Sequence, residues 1–255
     1  MQRSYQEDSK AVWHPLAIET VWRSFAVCDG HHRVLPDGRC DIILRFPSDG
    51  LKPSGAIAVR IAGPSTRFHL VPVSAGTAFV GVRLRPGMAG GVLALDPGLI
   101  VDRVLMDDEA MTVLPALAEL CRPAASIDAL AERLGLFVAG RFRMQHVDPL
   151  TTAMIDMLHV TGGRLPIAEL AKLHNMDVRT ARRRITAATG LGPKQLAAII
   201  QFHRALRLRY AGIESANAAI EAGYADQAHM SRTFRQMGGI GPARLPELAL
   251  ADLTP

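Results

Sequence analysis

Cysteine is scarce: the 255 residues hold three, Cys28, Cys40 and Cys121, an odd number with no Cys-x-x-Cys pair. That excludes a disulfide scaffold of the secreted kind and agrees with a reducing compartment. Long apolar runs are missing as well, since no stretch approaches the roughly 18 uninterrupted apolar residues that a membrane span needs. The opening MQRSYQEDSKAVWHP lacks the apolar centre of a signal peptide. Together these absences predict a cytoplasmic protein with no membrane partner. Catalytic signatures are also absent, with no nucleophile elbow, no HExxH and no nucleotide fingerprint, so an enzyme is not expected and no cofactor is implied. No segment is repetitive or biased enough for a solenoid or a disordered tract. A chain of this length, 49% hydrophobic and 21% charged, is long enough for two domains, each with its own core.

Acidic residues are missing from one region in particular. Residues 1 to 150 carry 16 Lys/Arg and 16 Asp/Glu, whereas residues 162 to 212 carry ten and two. A basic block of this kind on folded elements is the footprint of a polyanion-binding surface, although a merely solvated basic face would show the same count.

The first part of the chain reads as strands followed by helices. HRVLPDGRCDIILRF places a turn before an alternating run, and AIAVRIAG and TAFVGVRLRPG alternate in the same way, as half-buried strands do. They predict an antiparallel sheet or a small barrel. From about Asp107 the period lengthens: EAMTVLPALAELC and SIDALAERLGLFVAGRF predict two helices, the second capped by Ser126. The polar, proline-containing HVDP at 146 to 149 then marks a boundary, after which no strand pattern recurs. The expected organisation is an α+β domain over 1–148 and an all-α domain over 149–255.

Within the second domain, residues 166–190 have the pattern of a helix-turn-helix. Ile167, Leu170 and Ala171 line a first helix, His174-Asn175-Met176 form the turn, and Asp177 caps a second helix that points Val178, Ala181 and Ile185 inward. The outward face of that helix then holds Arg179, Thr180, Arg182, Arg183 and Thr186, with Arg184 at its flank. Arginine in such a place suits guanine, whose O6 and N7 its planar fork meets with two hydrogen bonds. Gly190 ends the helix, Pro193 starts a linker helix over 193–210 with Leu196, Ile199, Phe202 and Leu206 inward, and a second helix-turn-helix follows over 215–238. There Asp226 caps a helix burying Met230 and Phe234, leaving Gln227, Ala228, His229, Ser231 and Arg232 outside.

Two such units joined by a linker helix, the second reading GYADQAHMSRTFRQ with Pro242 beyond it, resemble the DNA-binding domain of the AraC/XylS family of bacterial transcription regulators over residues 151 to about 248. The resemblance implies that both second helices enter successive major-groove segments about one helical turn apart. It implies base readout by Arg179, Thr180, Arg182 and Arg183 from the first unit and by Gln227, Ala228, His229, Ser231 and Arg232 from the second. Lys172, Arg184, Thr186, Lys194 and Arg204 would meet phosphates. Double-stranded DNA is the implied partner; RNA polymerase, a small-molecule effector and a second copy of the chain are further candidates. The N-terminal segment WHPLAIETVWRSF…HRVLPDGRCDIILRF…GVRLRPG is similar to a module that accompanies some AraC-type regulators, which implies sensing, dimerisation or both without naming an effector. The chain departs from the family by having Ala181 and Ile185 where leucine and phenylalanine are usual, and Ser215 and Ala218 where larger apolar residues are usual. Residues 213 to 255 also carry three basic and five acidic groups, so the first unit is expected to supply most of the affinity.

Other chemistries compete for particular residues. Cys28, His31, His32 and Cys40 lie within 13 residues and make a metal- or redox-responsive regulator the alternative reading, although their spacing fits no standard zinc pattern. LRPGMAGGVLALDPG beside Arg83 and Arg85 lacks a phosphate-loop signature and reads as loop and turn. Trp13 and Trp22, with Phe25, would line an apolar pocket or simply fill the core, the latter being commoner. A DNA-linked enzyme of the alkylation-repair type would need a multi-cysteine zinc site that three scattered cysteines do not match. A helical protein-interaction module would leave the outward arginines unexplained.

Overall fold

Alternating apolar residues do build strands through the first hundred residues. The computed structural model describes residues 3–8, 16–50 and 52–242. Its strands are β1 (Arg3–Asp8), β2 (Ile18–Ala26), β3 (Gly30–Val34), β4 (Asp41–Pro47), β5 (Ala58–Ala62), β6 (His69–Val73), β7 (Thr77–Leu84) and β8 (Val104–Met106). Among the described residues they form a six-stranded sheet in the order β1-β2-β7-β4-β5-β8 and a two-stranded sheet of β3 and β6. Every pair is antiparallel. The result is an open two-sheet arrangement rather than a closed barrel.

The two-residue period of a strand gives the larger sheet two different faces. Val21, Val80, Val82, Ile42, Leu44, Val59, Ile61 and Leu105 point one way and form the first core with Leu93, Leu117, Leu130, Leu134 and Val138 from the helices. The alternate residues form rows across the opposite face. Trp22 pairs with Gly81, Gly81 with Ile43, and Ile43 with Arg60; in the neighbouring row Thr20 pairs with Arg83 and Arg83 with Asp41. Gly81 is obligatory in its row, because a Cβ there would lie 2.2 Å from the Trp22 ring, which rests on the glycine backbone.

Helices α1 (Ala89–Leu93), α2 (Asp108–Val113) and α3 (Ile127–Arg141) cover the first core. Ser126 caps α3 as expected, its hydroxyl accepting from the Ala129 N–H at 3.1 Å. The helix expected over EAMTVLPALAELC is broken. Pro115 keeps Leu114 out of the helical conformation (φ −140°, ψ 80°), so α2 stops at Val113 and Pro115–Cys121 continues as a 3-10 turn. LRPGMAGGVLALDPG, read as loop, contains the five residues of α1, whose Gly91 fits where a Cβ would lie 2.9 Å from the Phe142 ring.

The remainder is helical: α4 (Pro149–Val160), α5 (Ile167–Leu173), α6 (Val178–Thr189), α7 (Pro193–Tyr210), α8 (Ser215–Ala222) and α9 (Gln227–Gly238). Asp148 caps α4, a helix the periodicity did not single out, and Pro149 occupies its first position. A second core of Met154, Leu158, Leu170, Ala181, Ile185, Leu196, Phe202, Leu206, Met230 and Phe234 joins these helices. Ala181 and Ile185 are both fully buried despite being smaller than the family's usual residues. Phe202 of α7 meets Phe234 of α9 edge to face at 5.2 Å.

The two cores interlock. Leu35, from the segment between β3 and β4, belongs to the second core rather than the first. Around it Gly38 approaches Leu191 and Leu196, the Pro36 carbonyl lies 2.6 Å from His203 Nε2, and the Phe68 N–H donates to the Met237 carbonyl at 2.8 Å.

Candidate functional site

The first candidate surface is built on α6. The Asp177 carboxylate accepts from the Thr180 N–H at 2.9 Å and its hydroxyl at 2.7 Å, which starts the helix where the sequence put it. Asn175 takes the left-handed conformation of the preceding turn (φ 51°), and Gly190 (φ 73°) closes the helix. With Ala181, Ile185 and Thr189 inward, Arg179, Arg182, Arg183 and Thr186 stand exposed on the other side. No residue of α6 is acidic. Thr180 is half-buried, and its hydroxyl is occupied by the cap.

The second surface repeats the arrangement on α9. Asp226 caps it through the His229 N–H at 2.6 Å, and the His229 ring stands edge-on to Tyr224 at 5.2 Å. Gln227, Ala228, His229 and Arg232 are exposed, Ser231 half-buried, and Met230 and Phe234 fully buried. Among the residues expected near phosphates, Lys172, Thr186 and Lys194 are exposed. Arg184 is held by Asp148 at 2.7 Å, and Arg204 lies half-buried against Gly162. These two internal contacts join residues distant in sequence, and helical periodicity carries no sign of them.

A cavity of about 150 Å3 lies between the two sheets, beneath α7. Trp22, Phe79, Ile43, Arg60, Arg83 and Asp41 line it from the large sheet, His32, Val34, His69 and Val71 from the small one, and His203 from α7. Asp41 is the buried hub of its polar end. It accepts from the Trp22 indole N–H at 3.2 Å and from Arg83 Nε at 3.2 Å, while Asp37 lies 3.4 Å from the same Arg83 nitrogen. Burial pushes the Asp41 carboxyl up to about 6 against the pull of Arg83, with Asp37 adding to the rise. Trp22, doubtful as a pocket residue from sequence, is therefore one of its walls. Phe25 packs instead against the first core, and Trp13 lies outside the described residues.

The cysteine–histidine cluster is not assembled. Cys28 is exposed in the turn between β2 and β3, whereas Cys40 is buried just before β4. Among the described residues no three His, Cys, Asp or Glu side chains are placed to share a metal ion. Burial raises the Cys40 thiol far above its ordinary value, with Asp41 and Asp37 contributing, so it is held as the unreactive thiol.

Compared with known families, residues 170–247, spanning α5 to beyond α9, match one described as a helix-turn-helix domain. Residues 170–247 are an AraC-type helix-turn-helix domain. Ahead of it, residues 16–106 match the domain of unknown function DUF6597, and that match spans the whole lining of the cavity except His203. No curated protein matches the chain. Among solved structures, ToxT from Vibrio cholerae is 13% identical, with a TM-score of 0.48 over 96% of this chain and 99% of that one. ToxT with an unsaturated fatty acid bound is 14% identical, with a TM-score of 0.47 over 92% and 95%. ToxT bound to (E)-4-(8-methylnaphthalen-1-yl)but-3-enoic acid is 14% identical, with a TM-score of 0.47 over 96% and 100%. Among the described residues no helix is long and apolar enough to cross a membrane.

The seam between the AraC-type domain and the sheets is sensitive to protons. Burial pushes His203 down to about 4, opposed by the Pro36 carbonyl and assisted by Arg39, with Asp37 and Arg207 also facing it. Burial and Arg39 push His159 of α4 down to about 4. Both imidazoles stay neutral in the fold but take protons in the unfolded chain below pH 6.5, so stability rises with pH between about 4 and 6.5. Asp41 acts in the opposite sense over 3.8 to about 6, because the fold keeps its proton longer. The two histidines outweigh it. An unfolding free energy that climbs from pH 4 to 6.5, with the climb smaller in His203→Gln by on the order of 2 kcal/mol, is the expected result of denaturant titration repeated across that range.

Proposed function

We propose that the chain is a sequence-specific DNA-binding transcription regulator whose α6 and α9 each read one major-groove segment. The observation that supports this most directly is the pair of aspartate-capped helices, one arginine-rich and both free of carboxylates, one before and one after the linker helix α7 in the chain and both packed against it. Arg179, Arg182 and Arg183 read bases from α6, with Thr180 steering the first turn through its cap. Gln227, Ala228, His229, Ser231 and Arg232 do so from α9. Lys172, Thr186 and Lys194 meet phosphates, and Arg184 and Arg204 join them after leaving Asp148 and Gly162. On this reading the chain divides near residue 148 into a sensing domain and a DNA-binding domain, and it works in the cytoplasm.

The cavity is the effector site in this reading, because α7 closes one side of it. A molecule inside touches His203 directly, and the segment carrying Leu35 and Pro36 connects the cavity wall to the packing of α7. An effector regulates by favouring one seating of α7 against the sheets over another. Selection from a random duplex pool tests the DNA half of the proposal. The expected product is a motif of two half-elements about ten base pairs apart; no enriched motif would remove the proposal.

The two units are unequal in charge, which leads to a comparison. Arg182→Ala is expected to weaken binding to the selected site by about tenfold or more, and Arg232→Ala by less. A larger loss at Arg232, read by fluorescence anisotropy, would reverse the assignment of the dominant unit.

A further inference from the structure

The cavity wall contains four guanidinium groups, and three of them are already engaged. Arg39 is paired with Glu19 and donates to the Asp37 carbonyl. Arg83 is shared between Asp41 and Asp37. Arg33 stacks over Phe68 at 4.7 Å and donates to the Gly238 carbonyl at 2.9 Å. Arg60 is different. Its Nε is buried and has no hydrogen-bond partner among the described residues. Arg45 adds repulsion, and the acidic group that pulls on Arg60, Asp107, has one oxygen taken by the Val59 N–H at 3.1 Å. A buried donor left unpaired costs on the order of 1–3 kcal/mol, and more when charged, so its partner is sought in whatever fills the cavity.

The row containing Arg60 supplies the rest of the recognition. Trp22 lies flat over Gly81, and Arg60 stands two strands further on, past Ile43. Two strand spacings are about 10 Å. The arginine side chain spans part of that distance, leaving room for one ring and a short anionic group above Ile43. Phe79, two residues before Gly81 on β7, walls the same seat. A volume of about 150 Å3 is that of a cavity able to hold a benzene ring, so a long acyl chain would not be enclosed.

We infer that the cavity binds a small, flat, apolar molecule bearing one negative charge, with the anionic group on Arg60 and the ring against Trp22 and Phe79. The inference rests on the reading of the cavity as the effector site. A cation is disfavoured because Asp37 and Asp41 already face Arg83, and a neutral acceptor would meet the Arg60 Nε–H without the charge assistance that an anion gives.

The test uses full-length protein carrying Trp13→Phe, so that fluorescence reports on Trp22, titrated with benzoate, benzyl alcohol and benzylamine, which share one size. Benzoate is expected to perturb Trp22 at concentrations about tenfold below the other two, as a charge-assisted hydrogen bond would give. Arg60→Gln should reduce benzoate to the level of benzyl alcohol, and Arg60→Lys should restore part of the preference. Melting curves and DNA affinity without ligand establish that each variant is folded. Benzylamine binding as tightly as benzoate, or benzoate binding unchanged in Arg60→Gln, overturns the charge assignment but leaves the cavity an effector site. If none of the three binds, both the inference and the effector site fail, and the DNA-binding proposal stands or falls on its own selection experiment.

Discussion

Replacing Arg179, Arg182 and Arg183 together by alanine is expected to lower affinity for the selected duplex by about a thousandfold. The three lie at i, i+3 and i+4 on the exposed side of α6, and none is in an ion pair among the described residues. Each bidentate arginine–guanine contact discriminates by about 1–3 kcal/mol, so three at about 1.4 kcal/mol each give about 4 kcal/mol, equivalent to that factor. Alanine is the better helix former and the inward residues are untouched, so the thermal midpoint should barely move. Anisotropy at two salt concentrations separates the outcomes. A loss smaller than tenfold would mean that α6 does not carry the readout, and binding indifferent to salt would point to a helical protein-interaction surface instead.

The second large effect is on stability, and it is directional. Phe202→Ala should cost about 3–5 kcal/mol, the usual range for deleting a fully buried phenylalanine. The ring sits edge-on to both Phe234 and His203 and lies within 3.2 Å of a Cβ position at Gly238, so it ties α9 to α7 and α7 to the cavity. The hole opens beside α9 rather than α6. Footprinting of the variant at low temperature should therefore show protection of the second half-element weakened more than that of the first. Equal loss at both half-elements would mean that the two units move as one body, and denaturant titration would measure the cost.

How much of this was legible in the residues depended on whether the determining contacts were local. The helix-turn-helix units were readable because capping aspartates, turn residues and inward apolar positions all lie within a few residues of one another. Asp177, Asn175, Gly190, Pro193 and Asp226 each act where the pattern placed them. Alternation likewise revealed β4, β5 and β7 but not their order, because pairing β2 with β7 and β4 with β7 is a long-range choice. The break at Pro115 is local in origin: a proline that removes a backbone donor outweighs an apolar spacing that by itself would continue the helix. The cavity was not readable at all. Arg60, Arg83 and Asp41 look like ordinary polar positions of half-buried strands, and only the register places them in two adjacent rows under β3 and β6. The same limit hid the engagement of Arg184 with Asp148, 36 residues away.

Leu35 also bears on how the chain reaches its native state. The bond between Pro36 and His203 spans 167 positions, so the second hydrophobic cluster cannot close until the polypeptide is nearly complete. Contacts of such separation carry a large loop-closure entropy and slow the search for the native arrangement. During synthesis the strands can pair early, but the leucine waits with its side chain uncovered, an adhesive spot for as long as the linker helix is missing. A polypeptide begun at residue 149 would fold around a leucine-sized void, so its refolding should be faster and its native state less durable than those of the whole chain.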